Sequence, residues 1–151
     1  NTILPNKNKE VVLFTSIGFL GHALSLSGVD KYIVLIIDSM GIKSPLILIL
    51  VIVNIIFLFS IMGLHPILSI SAISLPYYAG AIPISQLQFA AAISIGYFSY
   101  TICSPFSAMI LSLTSLKNKS PLDVGFKINF VFCIILIFVF SIIVSMIPQN
   151  I

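Results

Sequence analysis

Twice between Met62 and Phe106, a polar residue is followed by proline inside hydrophobic sequence of bilayer-spanning scale. The first instance is Gly63-Leu64-His65-Pro66 and the second is Cys103-Ser104-Pro105-Phe106-Ser107. Proline has no N–H and clashes with the turn before it, so it ends one helix or opens the next. In hydrocarbon, the backbone groups freed by such a break must be met by protein or by a water-lined cavity. Few other features constrain a chain as tightly.

The membrane setting follows from composition. The chain has 151 residues, 59% of them hydrophobic and only 7% charged, where a soluble domain carries about 25% charged residues. Its basic residues are seven lysines and no arginine, and all seven lie between the apolar stretches or at their edges. A net charge of +3 placed this way speaks to membrane orientation. No lysine cluster with interleaved aromatics offers a nucleic-acid surface. Cys103 and Cys133 both fall in apolar stretches and read as free buried thiols.

The apolar stretches define an all-α integral membrane fold with transmembrane helices, one re-entrant hairpin and one broken helix. Residues 11–28 form an expected transmembrane helix, with Gly18, Gly21 and Gly28 on a small-residue face. Residues 29–43 carry Asp30, Lys31 and Asp38 and read as an interfacial arm. Ser44-Pro45 opens the next helix. The segment from Pro66 to Tyr77 makes roughly 18 Å of helix against a hydrocarbon core of about 30 Å. It cannot cross alone, so residues 45–77 are expected to turn back as the re-entrant hairpin. Residues 86–116 form a helix broken at 103–105, Lys117–Lys127 a charged loop, and residues 124–147 contain the last transmembrane helix. With the N-terminus inside and the C-terminus outside, five lysines lie inside and two outside, in line with the positive-inside rule. Two full crossings of residues 45–77 give the same parity.

Each break has an N–H end that favours an anion and a C=O end that favours a cation. Pro66 and Pro105 are read as first helical positions, with Ser104 capping the second restart and Ser107 in its first turn. Thr101 and His65 lie beside the breaks. Gly63, His65, Pro66, Thr101, Ser104, Pro105 and Ser107 are therefore the candidate substrate- and ion-binding residues. His65 has three roles open to it: contact with substrate, proton coupling, or a hydrogen bond to its own loop. Asn54, mid-helix, is expected to bond between helices. No acidic residue lies between Asp38 and Asp123, which argues against a carboxylate proton relay there. No nucleotide loop, metal-ligand cluster or catalytic triad spacing is present. The chain is read as no enzyme, with no cofactor beyond sodium as a coupling ion. The alternative is a helical membrane protein without transport activity, in an assembly, immunity or structural role, whose prolines only kink helices.

The order of parts resembles the C-terminal half of the ion transporter superfamily, in particular the divalent anion:sodium symporters. The resemblance starts at the glycine-bearing run Ile17-Gly18-Phe19-Leu20-Gly21-His22-Ala23 through Ser27-Gly28-Val29. It continues through arm, hairpin, broken helix and last helix. Gly63-Leu64-His65-Pro66 stands where that family has a Ser-Asn-Thr tip, whereas Ser104-Pro105-Phe106-Ser107 is closer to its proline-rich loop. The resemblance implies a secondary active transporter in a bacterial inner (plasma) membrane. The solute would be a small anion, with sodium or protons coupled. The chain, which starts at Asn1, would be the second of two inverted repeats. Its implied partners are the lipid bilayer, a missing N-terminal repeat half and a homodimer mate, with no nucleic acid.

Overall fold

The computed structural model describes residues 41–117 and 120–149, with scattered positions between 12 and 39. The expected helix at 11–28 and arm at 29–43 fall largely outside the described residues. The described part is helical, with no strand among the described residues. Helix α1 is Pro45–Ile61, α2 is Pro66–Tyr78, α3 is Gln86–Cys103 and α4 is Ala108–Lys117. A π-helical stretch, Leu122–Ile128, leads into α5, Asn129–Ser145.

Local rules explain the helix starts. Ser44 is extended and Pro45 takes the first turn of α1, although the Ser44 side chain makes no cap bond. Pro66 opens α2 in the same way, after an extended His65. At α3 the Ser85 hydroxyl accepts from Gln88 N, and the Gln88 side chain accepts from Ser85 N at 3.0 Å, a reciprocal capping box. Gln88 then reaches across to donate from Nε2 to the Ile147 carbonyl at 2.9 Å. It therefore ties the start of α3 to the end of α5.

Contacts along the helices fix their directions. Gly96 on α3 meets Ile56 on α1, where an added Cβ would sit 2.9 Å from the Ile56 Cβ. Eight residues later Ser104 meets Ser60, so α1 and α3 run parallel. Helix α2 runs back: His65 lies against Tyr100, ring centroids 6.0 Å apart, and Tyr77 stacks on Phe89 at 3.8 Å. Residues 45–78 are thus a helical hairpin that doubles back at 62–65. Helix α5 is antiparallel to α3, with Cys133 beside Ser99 and Ile147 beside Gln88. The core lies among α1, α3 and α5, built from Ile49, Ile56 and Phe57, from Phe89 and Ala92, and from Ile137.

The outside is as apolar as the inside. Leu58, Phe98, Phe132 and Phe138 are all exposed. Gln86–Thr114 and Leu122–Ser145 are long and apolar enough to cross a membrane, and only 22% of the apolar window in the second is buried. A helix apolar on every side suits burial, in a protein core or across a bilayer.

One expected boundary moves. The charged stretch read as a loop through Lys127 is wound into helix from Pro121 onward. Asp123 and Lys127 pair on its surface. Gly125 faces inward, where an added Cβ would lie 2.6 Å from the Cys103 carbonyl oxygen. The helical run that leads into α5 therefore begins at Pro121, a few residues before the expected start at 124, and its π-helical stretch packs on the end of α3.

Candidate functional site at the two helix breaks

The first break is closed mainly by its own backbone. Gly63 adopts φ +91°, a conformation that costs a residue with Cβ. This lets Leu64 N–H donate to Phe59 O at 3.0 Å and Gly63 N–H to Ser60 O at 3.2 Å, the Schellman pattern. His65 Nδ1 accepts from Ile67 N at a long 3.4 Å. With Nδ1 accepting, the neutral ring carries its proton on Nε2. This is the loop-backbone contact among the three roles open to His65. Met62, Gly63 and Leu64 are exposed, while Pro66 is buried at the first helical position.

The second break is closed mainly by side chains. Its helix restarts at Ala108, three residues later than expected. Ser107 is the capping residue, its hydroxyl accepting from Ile110 N at 3.2 Å and donating to Thr101 O at 2.8 Å. This corrects the expected cap at Ser104 and the expected first-turn places of Pro105 and Ser107. The Ser104 hydroxyl proton is drawn elsewhere, and its oxygen accepts only the long Phe106 N–H at 3.3 Å. Pro105 is buried inside the turn. The Ile102 carbonyl takes Asn129 Nδ2 at 2.8 Å, and the same amide reaches Val124 O at 3.1 Å. Cys133 Sγ lies 3.7 Å from Ser99 O. The Tyr100, Thr101 and Ile102 carbonyls at the end of α3, which would attract a cation, are thus met by the chain's own donors.

The two breaks touch. Ser104 Oγ donates to Ser60 O at 2.8 Å, across 44 positions of sequence. The Phe106 ring covers Gly63 closely enough that an added Cβ would meet it at 3.4 Å. His65 faces Tyr100, one turn before Ser104. Of the seven candidate residues, Gly63 and Ser104 lie at this junction, with His65 beside it. Ser107 and the Thr101 carbonyl hold the far side. The Thr101 hydroxyl turns back to Tyr97 O at 2.8 Å.

Most other hydroxyls do the same. Ser60, Ser71 and Ser99 each donate to the carbonyl four residues earlier, the usual habit of serine in an apolar helix. Asn54 follows them, bonding Leu50 O at 2.8 Å in its own helix and not a neighbouring one. Sequence reasoning missed Asn129 and Gly125. The signal was there in part: Asn129 is the only amide at the foot of the uncharged run from Ile128 to Ile147. An apolar groove of about 570 Å³ runs between α3 and α5 past Ser94, Phe98, Leu136 and Phe140, alongside the helices and not at the breaks. The chain matches no protein-family profile, no curated protein and no solved structure.

Proposed function

We propose that this chain is part of a secondary active transporter for a small, anionic solute, with the site at the junction of the two breaks. The observation that carries the proposal is the contact between breaks, Ser104 Oγ on Ser60 O at 2.8 Å. Two breaks distant in sequence share one location, and from that location two helices, α2 and α4, start. Helix N-termini carry partial positive charge, so two neighbouring starts favour an anion without any basic side chain. The doubling back of α2 supports reading residues 45–77 as a re-entrant hairpin of the kind the divalent anion:sodium symporters use.

Depth follows from length. Helices α1 and α3, of 17 and 18 residues, are about 26 Å long. Unless tilted, they carry the junction most of the way across a hydrocarbon core of about 30 Å. The proposed site is therefore approached from one face, beyond the midplane. A coupling sodium at the end of α3 would have to displace the Asn129 amide or the Ser107 hydroxyl. A missing repeat half, a homodimer and a bacterial inner membrane with the N-terminus inside complete this reading.

The alternative is a helical membrane protein without transport activity. The specific observation in its favour is the set of caps at the α3 end, where Ser107 and Asn129 already satisfy the Thr101 and Ile102 carbonyls.

Uptake separates the two. The full natural protein in lipid vesicles should accumulate a labelled small anion, screened across dicarboxylates, sulfate and phosphate, when a sodium or proton gradient is imposed. Absence of gradient-driven uptake across that panel, with protein correctly inserted, would leave the structural reading in place.

A further inference from the structure

Cys103 and Cys133 take no part in the proposed anion site, yet the fold brings them together. Both are free thiols with no exposed surface. Cys103 is the last residue of α3. Cys133 lies on α5 one turn beyond Asn129, and its Sγ is 3.7 Å from Ser99 O, one turn before Cys103. Both cysteines belong to the same buried core, and the Cys133 thiol sits beside the last turn of α3 that ends in Cys103. Asn129 and Cys133 thus form one stripe of α5 laid along the last turn of α3. The apolar groove between these helices reaches Phe98, next to Ser99 in sequence, and Leu136, three residues beyond Cys133. It gives an apolar molecule an approach to within about one turn of the thiols.

We propose that Cys103 and Cys133 are a redox pair, closing to an intrachain disulfide that ties α3 to α5 immediately before the second break. The oxidant would be a membrane-permeant acceptor of two electrons and two protons. Two S–H bonds break, one S–S bond forms, and both hydrogens pass to the acceptor. The Cys133 contact to Ser99 O is lost, and a covalent link takes its place. Reduction by a dithiol reverses the step. Disulfides require close approach of the two Cβ atoms, so the reaction reports directly on the packing of α3 against α5. It does not depend on transport.

The test uses the protein in lipid vesicles treated with diamide, an azo compound that becomes a hydrazine as it takes the two hydrogens. After quenching, the protein is unfolded in detergent, its free thiols are blocked with a maleimide, and its intact mass is measured. The expected result is a monomer with both thiols lost, lighter by two hydrogens, and restored by dithiothreitol. Cys103→Ser and Cys133→Ser should each keep the remaining thiol. The proposal is overturned if the folded protein keeps both thiols while a detergent-unfolded sample oxidises. It is also overturned if the only disulfide formed joins two copies of the chain.

Discussion

The chain breaks its helices twice with the same written pattern, and the two breaks are built from different materials. At 62–65 a glycine with φ +91° closes the helix through backbone bonds, and the turn is exposed. At 104–107 the turn is mostly buried, and the freed carbonyls of Thr101 and Ile102 are met by Ser107 and Asn129. The first closes its helix end through local backbone bonds, with the Ser104 hydroxyl added on Ser60 O. The second needs α1 from one side and α5 from the other. A polar residue followed by proline therefore marks where a helix stops, but not what satisfies the stop. That is decided by burial: an exposed turn has its own backbone and solvent, whereas a buried one must recruit donors from elsewhere in the fold.

This contrast predicts that the second break is more sensitive to substitution than the first. The largest effect is expected at Gly125→Ala. Its new Cβ would lie 2.6 Å from a backbone oxygen that has no side-chain freedom to move. A loss of about 3 kcal/mol, the upper end for overpacking, should be seen as a lower denaturation midpoint in detergent. Next comes Asn129→Ala, which leaves the partly buried Ile102 carbonyl without its 2.8 Å partner and should cost about 2 kcal/mol in the same assay. At the first break, Gly63→Ala places a side chain at positive φ and should cost about 1 kcal/mol. The smallest effect belongs to His65→Ala, because the bond from Ile67 N is 3.4 Å long; about 0.5 kcal/mol or less is expected. If Gly63→Ala proved more damaging than Asn129→Ala, the distinction between a backbone-closed and a side-chain-closed break would collapse.

The same contrast marks how far the sequence could be read. Helix starts at Pro45 and Pro66 follow from short-range rules, because a proline's fixed φ and missing N–H act within a few residues. The doubling back at His65 follows from length, since the segment after it is too short to cross alone. The cap at the second restart was placed at Ser104 and belongs to Ser107. No short-range rule could choose, because the choice depends on the Ser60 carbonyl 44 positions away pulling the Ser104 hydroxyl to itself. Gly125 and Asn129 were missed for a related reason. Their roles exist only once α5 lies along the end of α3. Gly125 has an ordinary explanation in the charged stretch up to Lys127, and Asn129 one at the foot of an apolar helix. At Thr101, a hydroxyl beside a break, the helix itself offers a carbonyl four residues back, and the hydroxyl donates to it.

The account rests on water and solute reaching the junction where Gly63 meets Phe106. Single cysteines at positions 63 and 106, in a background with both native cysteines changed to serine, can be challenged with a membrane-impermeant maleimide in sealed and in opened vesicles. Positions 58 and 98, whose apolar side chains are exposed on the outside of the helices, serve as lipid-facing controls. The account predicts rapid labelling at 63 and 106 from one side of the membrane and little at 58 and 98. Labelling at 63 and 106 no faster than at the two controls would contradict it.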